Sequence, residues 1–146
     1  MAALDGESVI RVLNRLLLAE YASLIPRLGE ATYFVSWASA DEAQLLSQMV
    51  AEECEHVAWL TEAILDLRGA PAPRRFDTAT ANIHYCELHS LIPRILADRQ
   101  RLIDVYQSAI PALGGLGKAT QVAGRILARH REHLNKLQTM FSDPAR

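Results

Sequence analysis

The sequence predicts an all-α fold: an antiparallel four-helix bundle with one long crossover between the second and third helices. Three observations predict it. Half of the 146 residues are hydrophobic and only 6% are aromatic, so alanine and leucine must supply most of the core. Glycine and proline gather in a few short stretches, which limits the number of chain reversals. Between those stretches the apolar residues recur at steps of three and four, the spacing of one helix face. The length suits one domain covering residues 1–146.

The first helix starts after Asp5–Ser8, which offers N-cap candidates, and runs to about Ala38. Pro26 should kink or split it, because proline lacks an N–H and clashes with the carbonyl four residues back. The stretch Trp37–Asp41 reads as a turn, with Ser39 or Asp41 capping a second helix that reaches about Arg68. Gly69 is the expected left-handed stop, and Pro71 and Pro73 follow it. Residues 69–82 have no apolar stripe and read as the crossover. A linker of that length, at about 3.3 Å per residue, can cross a bundle from end to end. The third helix lies between Ile83 and Ile110, with its start open, because Ser90 followed by Pro93 is also a helix opening. Pro111 and the glycines at 114, 115 and 117 end it, and the fourth helix runs from Lys118 to Phe141.

Five ionisable residues interrupt these apolar faces. Glu20 follows Leu13, Leu16 and Leu17; Glu53 and His56 lie between Met49 and Leu60; His130 and His133 lie between Ile126 and Leu137. A charged group turned into a core is costly unless it is paired, neutralised or bound to a metal. Glu53 and His56 stand three apart on one helix face, so a carboxylate and an imidazole can reach one ion. Oxygen donors suit hard cations, and imidazole adds affinity for iron, manganese or zinc. These five residues are the candidate metal ligands.

At these residues the chain resembles a known family. The segment Leu13–Glu20 and the segment Glu52–His56, continuing VAWLTEAILDLRGAP, are similar to the first two metal-ligand segments of bacterioferritins. The resemblance covers residues 13–73 and extends to the second half by pattern only. It implies a ferritin-like bundle with a two-metal carboxylate centre, in which Glu20 is a terminal ligand, Glu53 a bridge and His56 a nitrogen ligand. It implies iron, at one or two ions per chain with manganese or zinc as alternatives, and oxidation of ferrous iron or another reaction with oxygen or peroxide. The second half departs from the family. His133 matches its histidine, but His130 stands where the bridging glutamate belongs. The third helix should supply another glutamate. Asp98 matches by spacing and joins the candidate ligands, Glu87 matches an internal echo of the first helix, and Arg99 sits at the centre of the apolar stripe.

Two further readings stand beside this one. Arg99 and Arg27 could neutralise Glu20 and Glu53, leaving a metal-free structural or interaction protein. A di-iron oxygenase or hydroxylase of an organic substrate would need an open cavity beside the centre. The net charge of −2 and the lack of a basic stripe argue against nucleic acid, and no apolar run is long enough to span a membrane. The opening residues lack a secretory pattern, and Cys54 and Cys86 form no CxxC. A cytoplasmic homo-oligomer, most simply a dimer, is expected. Both cysteines read as buried or half-buried filler, Tyr21, Tyr33 and Tyr106 as packing, and Glu52, Glu55 and Glu132 as solvated.

Overall fold

The computed structural model describes residues 6–23, 40–74, 88–115 and 117–141. Among these residues are four α-helices: α1 (Gly6–Tyr21), α2 (Ala40–Asp66), α3 (Leu88–Ala109) and α4 (Lys118–Phe141), with a 3₁₀ turn at Ile110–Leu113. No strand occurs among the described residues. Each helix packs against two others in the ring α1–α2–α4–α3. Neighbours run antiparallel, so α2 and α3 are parallel, and the chain between Asp66 and Leu88 joins opposite ends of the bundle. That is the expected long crossover. No described helix is long and apolar enough to cross a membrane.

Two helix ends differ from expectation. α1 stops at Tyr21, a few residues before the split expected at Pro26, and Ser23 N–H bonds to the Glu20 carbonyl in a tightened last turn. The proline at 26 accounts for this, because it disfavours helical backbone at 25 and blocks the carbonyl at 22. Pro26, Arg27 and the rest of 24–39 lie outside the described residues, as do Ser39, Glu87 and Cys86. At the end of α2 the left-handed residue is Arg68 (φ 63°), not Gly69. Gly69 N–H bonds to the Ile64 carbonyl, and Arg68 N–H bonds to the Leu65 carbonyl. This is the Schellman pairing with Arg68 at the position usually given to glycine.

Gly69 is needed for a different reason. A Cβ there would fall 2.8 Å from Ile10 Cγ2 and 2.9 Å from its Cγ1 and Cδ1. Ile10 is β-branched and stiff, so it cannot swing away. Next along the chain, Asn14 on α1 donates to the Ala70 carbonyl (3.1 Å) and accepts from Ala72 N–H (2.7 Å). The start of the crossover is thus fastened along α1. Gly69→Ala should cost about 1–3 kcal/mol of stability by overpacking this contact. Urea unfolding of the two proteins measures it, and equal midpoints would refute the steric account.

The core falls into two apolar clusters. One contains Leu13, Leu17, Leu60, Ile64, Leu102 and Ile126. The other contains Leu46, Met49, Leu91, Ile95 and Leu137. On α2, α3 and α4 the switch between clusters is interrupted by buried polar residues: Glu53 and His56, Arg99, and His130 and His133. Glu20 on α1 completes the layer. Helical spacing thus stacks one polar layer between two apolar ones.

Candidate metal centre

Glu20, Glu53, His56, Arg99, His130 and His133 are each at most 1% exposed. Glu20 Oε1 accepts two hydrogen bonds, from the Tyr106 hydroxyl (2.7 Å) and from His130 Nε2 (2.8 Å). His56 Nδ1 lies 3.7 Å from the same oxygen. Arg99 Nη2 forms an ion pair with Glu53 Oε1. Its Nη1 donates to His130 Nδ1. A guanidinium has no acceptor, so His130 Nδ1 must hold a lone pair and Nε2 must carry the proton given to Glu20. The tautomer of His130 is thereby fixed, and its ring is neutral.

The electrostatics follow from burial. Desolvation raises the Glu20 carboxyl, against the lowering effect of Glu53, Tyr106 and Arg99. Desolvation takes Glu53 up to about 7, against the pull of Arg99. It takes His56 down to about 2, with the nearby histidines pushing the same way. His130 falls to about 3 through burial and then Arg99, and His133 is lowered mainly by burial. Three buried imidazoles are therefore neutral at pH 7, the form that binds metals.

Several buried atoms have no hydrogen-bond partner: Glu20 Oε2, Glu53 Oε2, both nitrogens of His56, and His133 Nδ1. Buried polar atoms are almost always paired, so this cluster of orphans calls for a ligand. Two sets of three residues bring ligand atoms within 4.8 Å of one another: Glu20, His56 and His130, and Glu53, His130 and His133. All five helix-face residues are brought together. Asp98 is in neither set: it accepts from Ser23 Oγ (3.4 Å) and Arg101 Nη2 (3.0 Å). At this level of α3, the side chain that reaches the centre is Arg99.

Some roles escaped the sequence. Tyr106 is buried as packing, but its hydroxyl also holds Glu20. Glu52 is half-buried and not simply solvated: its Oε2 meets His133 Nε2. Burial would raise the Glu52 carboxyl, but the bonds from His133 and Gln48 keep it lowered. Glu52 precedes Glu53 and faces the α4 side of the seam, a position that the apolar pattern alone does not mark. Cys54 is exposed, not filler. Beside it a cavity of about 130 Å³ opens onto the centre, lined by Glu20, Tyr21, Glu53, Cys54, Val57 and Arg74.

No family model matches the sequence, and no curated protein matches it. A solved structure does match: ferritin-like, diiron-carboxylate proteins from Bacillus anthracis str. Ames, with a TM-score of 0.70. The match covers 96% of this chain and 99% of that one, at 16% sequence identity. The fold is ferritin-like. At that identity the likeness concerns the path of the helices, and the chemistry of the centre rests on this chain's own residues.

These residues fit one cation. The orphaned oxygens and neutral imidazoles offer a mixed oxygen and nitrogen donor set. Two dications fit poorly, because among the described residues only Glu20 and Glu53 bring negative charge into the buried layer and Arg99 already offsets one of them.

Proposed function

We propose that this ferritin-like protein binds one transition-metal ion per chain in the polar layer. Iron is the first choice, with manganese or zinc as alternatives. We propose further that the iron form oxidises ferrous iron or reacts with peroxide. The observation that carries the reading is His56, a fully buried imidazole, neutral at pH 7, with neither nitrogen hydrogen-bonded. Glu20 through its unpaired Oε2 and His56 through an unpaired nitrogen would hold the ion, while His130 steadies the other oxygen of Glu20. Bound iron supplies one-electron chemistry with oxygen or peroxide, which no side chain can.

The rest is done by the chain. Tyr106 fixes one oxygen of Glu20 and leaves the other free. Glu52 holds His133 by Nε2, so that Nδ1 faces inward. Trp59 lies against His56, with ring centroids 5.6 Å apart, under the guanidinium groups of Arg125 and Arg129. This lid keeps water from the histidine side. The cavity beside Glu20 and Glu53, about 130 Å³, admits oxygen or peroxide. It is well below the roughly 300 Å³ and more of ordinary organic-ligand pockets, so an organic substrate is disfavoured. The reading keeps the bacterioferritin resemblance of residues 13–73, and a cytoplasmic homodimer as its setting. The exposed Cys54 thiol suits a reducing compartment.

A second reading is favoured by Arg99, whose ion pair with Glu53 could make the layer a metal-free polar network. Elemental analysis of protein purified without chelator separates the two. One ion per chain is expected, falling at least about tenfold in His56→Leu, which keeps the side-chain volume. Ferrous oxidation followed by absorbance should fall with it. Metal-free parent protein, refractory to added Fe(II), would leave the second reading standing.

A further inference from the structure

Among the described residues Arg99 is the largest side chain shut away from water. It projects from α3 between Ile95 and Leu102, both wholly buried, so its charge has no route to solvent. Its guanidinium contacts Glu53 and His130. These are two of the three members of one converging ligand set, whose third member is His133. In the other set, Glu20, His56 and His130, the contact is to His130 alone.

We propose that Arg99 is a resident cation occupying one of two cation positions in the layer, the one bounded by Glu53, His130 and His133. Removing it opens that position to a further metal ion, and position 99 rather than position 130 sets the metal count. The inference rests on the metal-binding reading for its setting, but not for its test.

Charge and geometry carry it. A dication between Glu53 and His133 would lie against the guanidinium that pairs with Glu53 Oε1 and fills His130 Nδ1, and taking those atoms as ligands would displace it. Arg99 would then be left charged and unpaired in a dry core, which is costlier than leaving the pair intact. The Glu20 and His56 position asks for no such displacement at Glu53. The argument also bears on His130, the residue that departs from the family's glutamate. A carboxylate placed there would meet Arg99 first. It would form a second ion pair with the guanidinium, strengthening its hold instead of freeing the position.

The test counts metal in four proteins: the parent, His130→Glu, Arg99→Glu/His130→Glu and Arg99→Met/His130→Glu. Each is produced in metal-supplemented medium, checked for helix content by circular dichroism, saturated with Co(II) and freed of excess by gel filtration. Elemental analysis gives ions per chain, and the visible Co(II) bands report coordination. His130→Glu should bind as many ions as the parent. Arg99→Glu/His130→Glu should bind one more. If its added carboxylates prevent folding, Arg99→Met/His130→Glu reads the same difference without adding charge at 99. A gain in His130→Glu alone, or no gain when Arg99 is removed, overturns the inference. The parent's own count tests the metal-binding reading separately. A parent with no ion and a variant with one would sink that reading and leave the role of Arg99 intact.

Discussion

Replacing Arg99 by methionine should destabilise the metal-free protein by about 3–5 kcal/mol at pH 8, the cost of removing one partner from a buried ion pair. Methionine fills much of the same space, so packing is not the main loss. What remains is Glu53 facing Glu20 in a dry layer without a counter-charge, and His130 Nδ1 without its donor. With Arg99 present the Glu53 carboxyl already titrates near 7. Without it the carboxyl must hold its proton still more tightly. A raised folded pKa gives stability that is lost as pH rises, so the defect should deepen from pH 6 to pH 8. Two additions should repair it. Glu53→Gln in the same chain removes the stranded charge. A divalent cation supplies a new one, and at about 100 times its dissociation constant it returns roughly 2.7 kcal/mol. Urea unfolding at both pH values, with and without Co(II), reads all of this. A loss under about 1 kcal/mol at pH 8 would mean that Glu53 is not held as an anion by Arg99.

The fold was legible because its signal is repeated. Apolar residues at steps of three and four mark four helices, and prolines and glycines mark where they stop. Ends were less legible. The first helix ends short of the proline at 26, and the Schellman residue proved to be Arg68, because backbone twist at a helix end depends on hydrogen bonds that no single residue type announces. Gly69 was correctly singled out for the wrong reason: Ile10, distant in sequence, is what leaves no room for a side chain.

The centre was legible where a charged residue replaces an apolar one. Glu20, Glu53, His56, His130 and His133 break their stripes in that way, and all reach the same layer. Arg99 breaks the third stripe by the same rule. Asp98 matches a ligand position by its spacing to the fourth helix, yet it lies beside Ser23 and Arg101. Glu52 and Tyr106 were not legible as polar partners. Tyr106 fits an apolar face by its ring, and only its hydroxyl, aimed at Glu20 86 residues away, gives it a second role. Glu52 lies off the stripe and turns inward because His133 on α4 receives it. Such pairings depend on how helices face one another.

The metal-free protein should be most sensitive to pH on the acid side, and two histidines should set the slope. His56 ordinarily titrates at 6.5 and is held at about 2, and His130 is held at about 3. Their folded pKa values are depressed, so the unfolded chain takes up protons first. Their contribution is complete above 6.5 and is lost as pH falls toward 3. Each histidine removes about 1.4 kcal/mol per pH unit through that window. Glu53 works the other way. Its carboxyl is raised from 4.5 to about 7, so its contribution is complete below 4.5 and is lost as pH rises through 7. Glu20 is raised as well. Between 4.5 and 6.5 Glu53 offsets one histidine and Glu20 works in the same direction, so the slope from these groups should be shallower there than below 4.5. Below 4.5 these two carboxyls are protonated in both states and no longer compensate for His56 and His130. Stability should then fall by about 2.7 kcal/mol per pH unit relative to a variant in which both are replaced by leucine. His56→Leu should remove half of that slope. Urea titrations of the chelator-treated proteins from pH 3.5 to 7.5 give the comparison. Parallel curves for parent and His56→Leu would show that His56 is not held neutral by the bundle, and the imidazole would lose its place as the free ligand of the centre.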